Sequence, residues 1–136
     1  MWNSQKPKET DISLNFAFGG NHSMNKNANV LSSSQSKAIE ELKDRASKRF
    51  SIKQIIVFGS VARGEAEEGS DLDVLLVTNN QLSHRERHEI YNQATEIDWK
   101  YDTNISVTIV DEYNWQQGCY SVLPIKTEIQ QDGIVL

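Results

Sequence analysis

Hydrophobic positions along the chain change their period several times, and the changes mark out its elements. Ala38, Ile39, Leu42, Ala46 and Phe50 recur at helical spacing with Lys, Glu and Arg between them. That pattern predicts a helix over about residues 34–49, capped by Ser34 or Ser36. Ile55-Ile56-Val57-Phe58 is a short apolar run of the kind a buried strand shows, and Gly59 ends it. Ala62-Arg63-Gly64 predicts a brief helical turn, and Leu72–Val77 a second strand closed by Asn79-Asn80. Ser83 is placed to cap a long helix over about 84–101, with Ile90, Tyr91, Ala94, Ile97 and Tyr101 as its apolar face. Ile105–Val110 alternates as a third strand. Ser121–Asp132 reads as a last helix, with Pro124 near its first turn and Gly133 just past its end, and Ile134–Leu136 as a final short strand. This order predicts an α/β (α+β) fold in which helices pack on one small mixed β-sheet.

Residues 1–32 follow a different pattern. They are rich in Asn, Ser, Lys and Gly and hold no sustained period, which predicts a flexible or partly ordered leader ahead of a folded domain at 33–136. Within the leader, Ile12–Gly20 alternates; it reads as an extra edge strand or a docking segment only if the leader is ordered. Met24 offers a shorter start.

Composition narrows the class. A chain of 136 residues suffices for one compact core and not for two. No apolar run approaches the roughly 20 residues of a membrane helix. The start lacks the apolar core of a signal peptide, so a cytoplasmic protein is expected. Cys119 is the only cysteine; it fits a reducing compartment and reads as packing rather than as a nucleophile. The net charge of -5 argues against tight, non-specific nucleic-acid binding, whereas small anions held by a metal stay compatible with it.

The chemistry concentrates in Phe58–Val77, FGSVARGEAEEGSDLDVLLV. Asp71 and Asp73 flank Leu72, and residues two apart on a strand project to one face. Two carboxylates about 6–7 Å apart repel unless a cation lies between them, and such oxygen ligands suit Mg²⁺ or Mn²⁺. Asp71 and Asp73 are therefore the expected metal ligands. Gly59 permits a sharp turn off the first strand and a close approach of backbone N–H groups to a ligand. A helix starting near Val61 would favour an anion at the same point, Ser60 adds a hydroxyl and Arg63 a positive charge. A phosphate cradle beside a divalent-metal site is what nucleotidyl transfer requires.

Gly59-Ser60, a ten-residue spacer and Asp71-Leu72-Asp73, reinforced by Arg63-Gly64 and Ser70, resemble the signature of the DNA-polymerase-β-like nucleotidyltransferase superfamily, most of all its minimal nucleotidyltransferases. The resemblance spans about residues 34–136. It implies a helix, strand, motif loop, strand, helix, strand layout and a Mg²⁺-dependent transfer of NMP, AMP from ATP above all, to a hydroxyl of a partner. On the matching positions it implies catalytic and metal-binding roles for Asp71 and Asp73, and nucleotide or phosphate binding by Gly59, Ser60, Arg63 and Ser70. It further implies an all-helical partner with RNase activity, and so an antitoxin role in a toxin–antitoxin pair. In one respect the chain departs from the pattern. Active relatives carry a third acid on the next strand, and the corresponding position here is Ser106, an uncharged and poor ligand. Asp102 would reach the site only if that strand starts late; Asp111 lies about 17 Å too far along.

Three functional classes follow from these residues. The first is the transferase. The second is a nucleotide-binding regulatory subunit that neutralises a helical nuclease by binding, with Ser106 having ended catalysis. The third is transfer to a small molecule of the antibiotic type, ranked last because such relatives carry an added acceptor domain. A protein partner or a homo-oligomer is expected, since the chain has little room for substrate recognition. The remaining features read as ordinary surface and packing. His84, Arg85, Arg87 and His88 form a solvated first turn, Glu65, Glu67 and Glu68 face water, and Trp99, Tyr113 and Trp115 are packing or interface aromatics.

Overall fold

The computed structural model describes residues 30–136. Ten elements follow in order: helix α1 (Ser33–Arg49), strand β1 (Ile52–Phe58), the single-turn helix α2 (Gly59–Ala62), strand β2 (Leu72–Thr78), helix α3 (His84–Tyr101), strand β3 (Ile105–Asp111), helix α4 (Glu112–Gln116), a 3₁₀ turn (Cys119–Val122), helix α5 (Pro124–Asp132) and strand β4 (Ile134–Val135). The strands form one sheet in the order β3-β2-β1-β4. β1 runs antiparallel to β2 and β4, and β2 runs parallel to β3, so the sheet is mixed as expected.

The two faces of the sheet are covered differently. Leu72, Val74 and Leu76 of β2 point to the side where Ala38, Leu42, Ile90, Ala94 and Ile97 of α1 and α3 complete the larger core. Leu75 and Val77 point the other way, toward Trp115, Ile129 and Val110. Alternation along β2 thus assigns Asp73 to the second face, with Asp71 one residue ahead of the strand, where the smaller core gives out. Burial on both faces explains why β2 reads as a nearly unbroken apolar run.

Several boundaries differ from the sequence expectations. The cap of α1 is Ser32, not Ser34 or Ser36: its hydroxyl accepts from Gln35 N–H while the Gln35 side chain accepts from Ser32 N–H. That reciprocal pair satisfies two orphan amides at once, and a serine inside the first turn has no such pairing to offer. β1 starts at Ile52, three residues before the apolar run, because Lys53 and Gln54 lie on a strand end that is only partly covered. α4 lies between β3 and the tail, capped by the Asp111 carboxylate, and was not expected. It carries Trp115 into the smaller core, at 4% exposure, and so removes Trp115 from any contact surface. The last helix begins at Pro124, whose fixed φ suits the first helical position, and Ser121 belongs to the 3₁₀ turn before it. Ser83 does cap α3, in a second capping box with Glu86. The alternating segment Ile12–Gly20 lies outside the described residues. No helix among the described residues is long and apolar enough to cross a membrane.

Candidate active site

The site forms where β1 ends and β2 begins. In the antiparallel register Phe58 pairs with Asp73, so the turn into α2 lies directly against the second acid. Gly59 adopts φ +78, a conformation that side chains disfavour, and a Cβ at this position would collide with Oδ2 of Asp73. Both constraints call for glycine. Phe58 offers no side-chain cap, and the leading N–H groups of α2 have no intrahelical acceptor by the geometry of any helix start.

The rest of the motif is local backbone engineering. Arg63 closes α2, and Gly64 follows at φ +74. Gly64 N–H donates to the Val61 carbonyl at 3.0 Å, and Glu65 N–H donates to the Ser60 carbonyl at 2.9 Å. This pair of bonds is the Schellman arrangement, which explains the glycine after Arg63: it turns the chain out of the helix and back toward β2. Ser60 is half-buried. Ser70 shapes the far end of the loop, where its hydroxyl accepts from Glu67 N–H at 2.9 Å. Arg63 is answered by acids: its Nε donates to Glu65 at 3.0 Å, and Glu128 of α5 lies 3.9 Å from Nη1. Glu65, through its hydrogen bond first of all, raises the Arg63 pKa.

Asp73 lies in β2 and Asp71 one residue before it, close enough for the charge of Asp71 to act on Asp73. Burial, and after it the charge of Asp71, raises the Asp73 carboxyl above its ordinary value; Arg63 works in the opposite direction. Asp71 is exposed and Asp73 half-buried. On the parallel strand, Ser106 pairs with Asp73 and is exposed, so the position expected to hold a third acid is brought to the site and is neutral. β3 starts at Ile105, opposite Leu72, so the late start that Asp102 requires does not occur. Asp102 instead ends α3 in the left-handed conformation, at φ 56. No group of three or more His, Cys, Asp or Glu side chains is placed to hold a metal among the described residues. One residue at the site carried no signal in the sequence. The Asn104 side chain donates through Nδ2 to Oδ1 of Asp71.

The donor set fits a hard divalent cation in part. Two neighbouring carboxylates, one of them raised in pKa by burial and then by the charge of the other, would supply two oxygen ligands, and the remaining positions would fall to water and to substrate phosphates, as Mg²⁺ sites commonly arrange.

The family profile described as polymerase beta nucleotidyltransferase matches residues 40–136. The chain belongs to this family. A Methanocaldococcus jannaschii protein, provisionally described as a protein adenylyltransferase, is 39% identical over 56 residues, which is 41% of this chain and 57% of that protein. The chain thus spans little more than half the length of that relative. Among solved structures, a provisionally described nucleotidyltransferase from Sulfolobus solfataricus superposes with a TM-score of 0.50 at 18% identity, covering 88% of this chain and 90% of that one. A toxin–antitoxin structure with AMP-PNP superposes with a TM-score of 0.50 at 19% identity, covering 73% and 69%. These likenesses support the nucleotidyltransferase fold.

Proposed function

We propose that the protein transfers a nucleoside monophosphate, AMP from ATP, to a hydroxyl of a protein partner. The observation that carries this reading is the contact between Gly59 and Asp73: a glycine that tolerates no side chain, set against one of two neighbouring acids. Asp71 and Asp73 would hold Mg²⁺, which supplies charge neutralisation at the triphosphate and the departing pyrophosphate. The turn at Gly59-Ser60 and the leading amides of α2 would face the phosphates. Arg63, tied to Glu65, orders the loop and lends its charge to the site. The adenylyltransferase description of the archaeal relative supports AMP as the group transferred and a protein as acceptor. The toxin–antitoxin neighbour with AMP-PNP supports a nucleotide-binding antitoxin role, with a toxin as the partner.

Incubation with α-phosphate-labelled ATP, Mg²⁺ and a candidate toxin partner tests the proposal. Label is expected on the partner, reduced at least about 100-fold by Asp73→Ala, since the lost group would contact the reacting centre. A partner that binds tightly yet never acquires label points to the second reading, a nucleotide-binding subunit that neutralises by contact. The neutral Ser106 beside Asp73 is the feature that favours that alternative.

A further inference from the structure

Asn104 belongs to none of the sequence motifs, yet two bonds tie it to the start of β2. Its carbonyl accepts from Leu72 N–H at 2.8 Å, and its side-chain amide donates to Asp71. Because Asn104 is exposed, the side-chain bond is not forced by the need to satisfy a buried polar group. The turn that carries it is fixed at both flanks. Thr103 donates its hydroxyl to Oδ1 of Asp98 at 2.8 Å, and Ile105 N–H donates to the same oxygen at 2.9 Å. Thr103 N–H also reaches the Asp98 carbonyl, at 3.2 Å. One carboxylate near the end of α3 therefore clamps the residues on either side of Asn104. An exposed aspartate samples several rotamers, and binding a ligand through it costs the entropy of choosing one. An amide held from behind makes that choice in advance.

We propose that Asn104 is a positioning residue: its amide holds the Asp71 carboxylate by one oxygen and so leaves the other turned to a divalent cation. The proposal rests on the reading of Asp71 and Asp73 as metal ligands, and it adds a residue that acts through Asp71 without touching the cation. Outer partners of ligating carboxylates are typically worth about 10- to 100-fold in metal affinity. With two acids instead of three, the order imposed on each matters more.

The test uses the full chain. Mn²⁺ affinity in the presence of ATP is measured by electron paramagnetic resonance for the wild type, Asn104→Ala and Asn104→Leu, and the melting temperature of each is taken without metal. Both variants are expected to bind Mn²⁺ about tenfold more weakly while melting within about 2 °C of the wild type, as exposed substitutions do. Wild-type binding matched by both variants overturns the proposal alone. Weakened binding with a comparable loss of melting temperature also overturns it, because the role is then to build the turn. A wild-type chain that takes up no Mn²⁺ overturns the metal reading itself, and the proposal with it. In the metal-free protein, the side-chain ¹⁵N–H₂ signals of Asn104 should move in Asp71→Ala, and static signals deny the contact.

Discussion

Two polar clusters of this domain treat their carboxylates in opposite ways. Between α1 and α3, Glu41 accepts from Lys100 at 2.9 Å and from the Tyr101 hydroxyl at 2.7 Å, and pairs with Arg45. Arg45 in turn reaches Glu96 at 3.0 Å. The hydrogen bond from Lys100, followed by that from Tyr101, holds the Glu41 carboxyl down at about 2. At the end of β1 the direction reverses: burial and Asp71 push Asp73 up, and Arg63, whose charge works against that rise, is already engaged by Glu65. The first cluster is complete in itself. The second keeps like charges side by side, an arrangement that gains from a cation arriving from outside, and perturbed carboxyls of this kind concentrate at functional sites.

Substitutions can break or sharpen this contrast. The largest effect is expected from Gly59→Ala. The required positive φ and the collision with Asp73 together cost about 1–3 kcal/mol, a melting temperature lower by several degrees, and they displace the acid as well. An unchanged melting curve would mean that position 59 has room for a side chain against Asp73. Ser106→Asp sharpens the contrast, since it places a third carboxylate beside Asp73 in the observed register. Mn²⁺ affinity should rise about tenfold, roughly 1.4 kcal/mol, while the metal-free protein melts lower through added repulsion.

Glu41→Gln breaks the completed cluster and shows its sign through pH. The folded carboxyl lies at about 2, below the ordinary 4.5, so its stabilisation is full above that ordinary value and drains away as the pH falls toward 2. The variant should melt below the wild type at pH 7, and the two curves should converge near pH 2. Asp73→Asn has the smallest effect and the opposite sign. Because the native carboxyl is raised, the unfolded chain ionises first, and the wild type loses stability as the pH climbs from about 3.8 until the native group also ionises. Denaturant titrations at acid pH should coincide. At pH 7 the variant should be the more stable, so a less stable variant would mean that Asp73 is already satisfied without a ligand.

Much of this was legible in the chain, for identifiable reasons. The helical period of α1 and α3, the apolar runs of β1 and β2 and the Ser83 cap are local signals, and each element formed within a few residues of its expected span. Asp73 falls on the second face of β2 by strand alternation, and Asp71 precedes the strand by one residue, close enough for its charge to act on Asp73. Ser106 was named through the family resemblance, and the parallel pairing of β2 with β3 sets it beside Asp73. What escaped depended on contacts between distant segments. α4 is five residues long, too short for a period to emerge, and Trp115 is buried only because α4 and α5 fold back over the sheet. Asn104 meets Asp71 across 33 positions of sequence, and nothing in an isolated asparagine announces such a partner. The choice of Ser32 over Ser34 or Ser36 as the cap turned on Gln35, a pairing visible only when the serine is read three residues ahead of its glutamine.

The antiparallel pairing of β1 with β2 has a kinetic consequence. Gly59, Asp71 and Asp73 all lie within one hairpin, closed by the loop that carries the motif, so their geometry needs only short-range chain closure. Ser106 and Asn104 arrive later in the chain, after the whole of α3 has crossed over to bring β3 alongside β2. Short-range pairing precedes long-range pairing when loop entropy governs the order of events. A nascent chain that has formed only its hairpin would already hold the glycine against the aspartate, and substitutions in the hairpin should slow refolding more than equally destabilising ones in β3.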